Sequence, residues 1–412
     1  MKRGCVSHFA PACPERSRRE LLHLSKGLRI ESGVTKMIID PLNILTKRIR
    51  IRSLILLALM TVYVVVTLAI FFQGVIPSLA DDTTNETFAV DSTIYIFLAD
   101  SVREGRYDPY VIASLSSFPN TTWTPVFIWL VLNNAFLVML TNYAIFATSI
   151  LLLKKTFSIS LVTFLPLLLL NPTTTTSLLC VNKEILDLLN LSLFLYSRVR
   201  RKNWLLLVAL IFALLNRYEF CVVMLLFLVS GSRLNTWRKK RIATLLLLIV
   251  ALNFIMPLLA GKMLAHRFEE AESANTIAVL DGLQLHYLYV LAVVPKIAEN
   301  LFGQLVNPQV WETPSSWLYI NLFNNISYAI VIMIAAKKRL LTLRNDLIYF
   351  AAFGAVLVAQ SLAVQPRYFQ FVYVLLCLQI ALIEPQEPAR SISLHKRSGR
   401  GHRASLPEGA FG

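Results

Sequence analysis

Long runs of uncharged apolar residues limit what this chain can fold into. Residues 53–74 (SLILLALMTVYVVVTLAIFFQG) and 243–261 (ATLLLLIVALNFIMPLLAG) hold no ionisable side chain apart from one tyrosine. A helix rises about 1.5 Å per residue, so roughly 20 apolar residues match the bilayer core. Only 16% of the chain is charged and 56% is hydrophobic, whereas soluble domains carry about a quarter charged residues. The expected architecture is an all-α, polytopic transmembrane bundle, with the lipid bilayer as its first partner.

The formal net charge of +16 suggests nucleic acid until its placement is considered. Residues 1–36 hold 8 Lys/Arg and 3 Asp/Glu, and residues 385–412 hold 5 and 2. Half the excess therefore lies in two tails without apolar periodicity. Most other basic residues cluster beside the apolar runs, which is a topology signal and not a nucleic-acid face. Segment 1–36 lacks the apolar core of a signal peptide, and Met37 reads as the natural start. The expected organisation is a disordered or spurious extension over 1–36, one membrane domain over 37–384, and a disordered basic cytoplasmic tail over 385–412. The five cysteines are scattered and show no metal spacing, so no cofactor is expected and nothing calls for a divalent metal.

Five basic clusters lie at 47–52, 154–155, 198–202, 233–241 and 337–344. Placing them all in the cytoplasm defines spans at 53–76, 124–153, 157–170, 185–197, 241–262, 316–336, 345–362 and 367–383. The second is long enough to kink at Asn133 and Asn134. Residues 204–231 lie between two basic clusters and so form a hairpin of two short spans with Asn216, Arg217 and Glu219 at its tip. The total is about ten spans (roughly nine to eleven), with both termini cytoplasmic.

The ionisable residues left over fall on the outer face. Asp91, Tyr95 and Ala99 are spaced to share one side of a surface helix after the first span. Asp91 suits either a helix N-cap or a general base at the water–lipid boundary. Asn182 and Glu184 suit the start of a helix, whereas Lys183, a cation at a positive helix end, suits a phosphate or carboxylate partner. Arg217 suits an internal ion pair with Glu219 or Glu184, or an anion clamp on a pyrophosphate. Arg367 and Tyr368 open the last span, where phosphate or saccharide contact competes with snorkelling. Between residues 263 and 315, Tyr287, Tyr289 and Trp311 (with Trp317 just beyond) suit an interfacial belt or stacking on sugar rings, and His266 and His286 are too far apart to suggest a metal site. Asn85 and Asn120 stand in sequons of the first outer loop.

Several motifs carry a resemblance: D-x-x-x-Y-x-x-x-A (Asp91, Tyr95, Ala99), P-x-F-x-W-L at 125–130, NKE at 182–184, Arg217 between two short spans, and Arg367–Tyr368 at the last span. Over roughly residues 45–384 the chain resembles polytopic GT-C-type glycosyltransferases and the related O-antigen and polysaccharide polymerases of bacterial envelopes. The resemblance implies an inner-membrane enzyme with an extracytoplasmic active face, acting on a polyprenyl-phosphate-linked sugar or oligosaccharide. It implies Asp91 as the catalytic base, with Tyr95, Lys183, Glu184, Arg217, Glu219, Arg367 and Tyr368 around the substrate. A repeat-unit polymerase, leaning on arginines such as Arg267, is the neighbouring alternative. A transporter or flippase of a lipid-linked saccharide is the alternative of another class; it would show broken helices near the membrane midplane.

Overall fold

A computed structural model describes residues 51, 53–75, 100, 103–105, 127, 130–131, 134–233, 240–255, 276–306, 312, 316–360 and 366–382. The described elements are helical, joined by turns and one isolated bridge between Ile159 and Leu382. The chain divides into two units, Met1–Gly74 and Val75–Gly412.

The first unit is represented by helix α1, Ser53–Val75, whose final residue begins the second unit. Its two mid-helix threonines turn their hydroxyls back on the helix. Thr61 Oγ1 donates to Leu57 O and Thr67 Oγ1 to Tyr63 O, both at 2.9 Å. That leaves no hydroxyl facing hydrocarbon without a partner.

The second unit holds α2 (Ala135–Thr156), α3 (Leu161–Leu169), α4 (Pro172–Leu179), α5 (Lys183–Arg200), α6 (Asn203–Asn216) and α7 (Tyr218–Arg233). It continues with α8 (240–255), α9 (Thr276–Leu285), α10 (Tyr289–Val306), α11 (Ser316–Lys337), α12 (Asp346–Val358) and α13 (Gln370–Ala381). Asparagine starts several of them. Asn134 Oδ1 accepts from the amides of Phe136 and Leu137, Asn171 Oδ1 from Thr173, and Asn345 Oδ1 from Leu347. Each satisfies amides that a helix start leaves open. At α4, Pro172 follows the cap, where its missing N–H costs nothing.

α1, α2 and residues 318–337 of α11 are each long and apolar enough to cross a membrane. The α3–α4 pair makes a fourth if counted together, although it bends by 81° at Asn171. Residues 203–216, 219–229 and 346–358 form shorter apolar helices. Among the described residues, length and composition therefore support three or four crossings, and the ten that charge alternation suggests are not supported by them. The expected kink near Asn133 and Asn134 is a capped helix start among the described residues. Residues 172–179, between the expected spans 157–170 and 185–197, are helical. Within 263–315, expected as an outer segment, lie α9 and α10.

All twelve residues of α13 are buried, so this helix is surrounded by its neighbours. Beside it, Phe194 (α5), Phe227 (α7), Phe350 (α12) and Phe371 (α13) form an aromatic core. The Phe227 and Phe350 rings stack with centroids 4.2 Å apart, and Phe194 lies 5.5 Å from Phe350. Between lipid-immersed helices such packing replaces the hydrophobic drive. Gly354 lets α12 approach α13, since a β-carbon there would strike the Phe371 ring.

The basic residues gather at one end of this unit. Arg200 at the end of α5 donates to Lys155 O at 2.9 Å. Arg241 in α8 donates to Leu343 O and Arg344 O, each at 2.8 Å, pairs with Asp346, and lies over the Tyr349 ring. Lys338 reaches Ile380 O at the end of α13. Helix α5, 18 residues long and therefore about 27 Å, separates this end from the cluster around its start.

Candidate functional site

The start of α5, the α6–α7 joint and the turn before α13 meet in one charged cluster. Glu184 and Asp187, three residues apart, share a face of α5. Arg217 breaks the hairpin between α6 and α7 as the extended cap residue of α6. Its guanidinium holds Glu184 Oε1 at 3.1 Å and Asp187 Oδ2 at 3.3 Å. The three side chains are 14%, 2% and 10% exposed in the order Arg217, Glu184, Asp187. Asn216, fully buried, donates Nδ2 to Asp187 Oδ1 at 2.8 Å and to Lys183 O at 3.2 Å.

Tyr368 closes the cluster from the chain's other end. The Arg217 guanidinium carbon lies 5.1 Å from its ring centroid, and that of Arg367 lies 5.4 Å from it. Both distances suit cation–π attraction. Arg367 and Tyr368 belong to a 3-10 turn, Pro366–Phe369, leading into α13. Glu219, in the first turn of α7, adds its charge to the field at Arg217, and Lys183 acts likewise on Asp187. Within this group three acids, Glu184, Asp187 and Glu219, face three bases, Lys183, Arg217 and Arg367. The neighbourhood is close to neutral.

Of the residues singled out in the sequence, Lys183, Glu184, Arg217, Glu219, Arg367 and Tyr368 therefore come together. For Arg217 the internal ion pair is present: the guanidinium is held by Glu184 and by Asp187. Asp91, Tyr95 and Arg267 lie outside the described residues. Sequence reading missed Asp187, and it placed Asn216 at the hairpin tip without giving it a role. The spacing of Glu184 and Asp187 on one helix face, and the adjacency of Asn216 to Arg217, are the signals that point to them.

Beyond Tyr368 a seam of neutral polar side chains runs to the α3–α4 bend. Gln370 Nε2 donates to Thr174 Oγ1 at 2.6 Å. Thr173 donates its amide and hydroxyl to Asn324 Oδ1 at 3.1 and 3.0 Å, and Asn171 Nδ2 reaches Ser327 Oγ at 3.0 Å. The bend is thus satisfied by α11 and α13, the condition under which broken backbone is tolerated at membrane depth. A second polar group sits among α9, α10 and α12. Lys296, fully buried, donates to Gln284 Oε1 at 2.6 Å, and Gln284 Nε2 donates to Gln360 O at 3.0 Å. Tyr289, expected in an interfacial belt, is fully buried and donates its hydroxyl to Val356 O at 2.7 Å. Tyr287 is exposed. Among the described residues no three His, Cys, Asp or Glu side chains gather as a metal site.

No protein-family model, no curated protein and no solved structure matches the chain.

Proposed function

We propose that this protein is a membrane-embedded glycosyl transfer enzyme using a polyprenyl-phosphate-linked sugar donor in cell-surface polysaccharide or glycolipid assembly. The observation that carries the reading is the meeting of Lys183, Glu184, Arg217, Glu219, Arg367 and Tyr368, drawn from three distant chain segments, at one end of α5. The basic ends of α2, α5, α8 and α11 lie toward the other end. Under the positive-inside rule that basic end is cytoplasmic and the cluster extracytoplasmic, in a plasma-membrane bundle of about ten crossings, several of them short. The lipid-linked donor would approach from the bilayer, and Asp91 would take the proton of the acceptor hydroxyl as it attacks the sugar. Lys183 and Arg367 at the rim suit the donor's phosphate. A repeat-unit polymerase is the neighbouring form of the same chemistry.

The test is Asp91→Asn, with membrane insertion confirmed, assayed for transfer of label from polyprenyl-phosphate sugars in isolated membranes. Loss of a general base lowers the rate by about 100-fold or more. Undiminished transfer removes Asp91 from the role.

One observation favours a second reading, a transporter or flippase of a lipid-linked saccharide. The 81° break between α3 and α4, lined by Thr173, Asn324 and Gln370, is the kind of discontinuous helix that builds transport sites. Proteoliposomes loaded with labelled lipid-linked saccharide separate the two: a transporter changes its leaflet, and a transferase changes its covalent structure.

A further inference from the structure

The hydrogen bonding of the charged cluster is incomplete in a specific way. Glu184 Oε1 is held by Arg217, while its Oε2 is buried and has no partner. Asn216 donates twice through Nδ2, yet its Oδ1 is also buried and has no partner. Turning the amide over would point Oδ1 at Asp187 Oδ1 and Lys183 O, two acceptors, so the network fixes the amide's orientation. Among the described residues, two acceptors on adjoining side chains thus lack a donor, and a buried acceptor left unmatched costs about 1–3 kcal/mol.

The chemistry of that donor is narrow. A phosphate is an anion repelled by the Glu184 carboxylate, and it offers a donor only where one of its oxygens is protonated. Calcium or magnesium needs about six or more oxygen ligands, and among the described residues no three His, Cys, Asp or Glu side chains are placed to hold a metal ion. Among the described residues, three acids and three bases stand around the cluster, so they carry no net formal charge for a mobile ion to balance. A neutral group bearing O–H fits. We infer that Glu184 and Asn216 form a hydroxyl-binding subsite for a neutral polyhydroxylated ligand of the saccharide class. It is approached past the partly exposed side chains of Lys183, Arg217, Arg367 and Tyr368. The choice of a saccharide among hydroxyl compounds rests on the glycosyl-transfer reading; the need for a neutral donor does not.

The test uses the full chain in lipid nanodiscs free of glycoside detergent, with thermal unfolding followed by tryptophan fluorescence. The probes are the methyl hexosides, the methyl N-acetylhexosaminides and inorganic pyrophosphate. At least one glycoside raises the unfolding temperature saturably, and its apparent affinity falls by about tenfold or more in Glu184→Gln, as expected for losing a hydrogen bond to a charged group. Asn216→Ser carries the same comparison should Glu184→Gln fail to insert. The subsite is overturned if no glycoside stabilises the protein, as when a water fills the place, or if both variants respond like the wild type. It is equally overturned if pyrophosphate stabilises through Glu184. Infrared difference spectra of wild type against Glu184→Gln supply an independent check. A protonated-carboxyl band lost in the variant makes the missing donor the glutamate's own proton and sinks the subsite. Glycoside binding without transfer retires the enzyme but leaves the subsite, and transfer without glycoside binding does the reverse.

Discussion

Replacing Arg217 with methionine keeps an unbranched apolar stem of similar volume and removes the charge that holds α5 to the α6–α7 joint. Two carboxylates lose their partner at once. Glu184 is 2% exposed and Asp187 10%, bonded to the guanidinium at 3.1 and 3.3 Å. Breaking a buried pair by deleting one partner costs about 3–5 kcal/mol, because the other charge stays buried and unmatched. Here two like charges remain on one helix face, which adds repulsion, and the Tyr368 ring loses a cation worth about 0.5–2 kcal/mol. The loss falls on a cluster 14% exposed or less, so solvent screening does little to reduce it. The expected cost is about 4 kcal/mol, a factor of roughly a thousand in the folding equilibrium. Equilibrium unfolding in mixed dodecyl sulfate and dodecyl maltoside micelles, followed by tryptophan fluorescence, measures it. The triple variant Arg217→Met, Glu184→Gln, Asp187→Asn removes all three charges with little change of volume and is expected to regain more than half of the loss. A cost below about 1 kcal/mol for the single variant would place the pair in the class of exposed ion pairs and refute the buried-cluster account. A triple variant no more stable than the single would refute the charge argument itself.

Two further perturbations test the packing. Gly354→Ala drives a methyl group into the Phe371 ring and is expected to destabilise the protein by about 1–3 kcal/mol; Gly354→Ala with Phe371→Leu, measured the same way, should recover part of it. Asn324→Leu strips the acceptor from the Thr173 hydroxyl at the α3–α4 bend and leaves the Thr173 N–H to Asn171 Oδ1 alone. It is expected to cost about 2–3 kcal/mol and to speed amide exchange at residues 171–174, read by mass spectrometry, while exchange in α5 stays unchanged.

Much of the architecture is legible as apolar run length. Helices α1, α5, α11 and α13 begin or end within a few residues of the places the sequence indicates, and the break at Arg217 falls where two basic clusters force a hairpin. The pairing of Arg217 with Glu184 was one of two alternatives the residues allowed. What sequence periodicity does not carry is tertiary satisfaction. PTTTTSLL is poor in strong helix formers, and it is helical where Asn324 and Gln370, more than 140 residues away, occupy its hydroxyls and first amides. Asp187 sits inside an apolar run and reads as part of a span until Arg217 and Asn216 arrive from the next helix pair. Tyr289 looks interfacial by composition, yet it is enclosed, because its acceptor at Val356 comes from an element that no local window contains.

Helix α13 has consequences for how the molecule is put together. Having no side turned to lipid, it gains little from resting alone in the bilayer and most from the groove left by its neighbours. The ribosome releases it after α2 through α12, so those helices must hold a vacant slot open until it arrives. A chain stopped before residue 370 would present that slot, with the Phe194, Phe227 and Phe350 rings along it, to the surrounding lipid and to the cell's quality-control proteases.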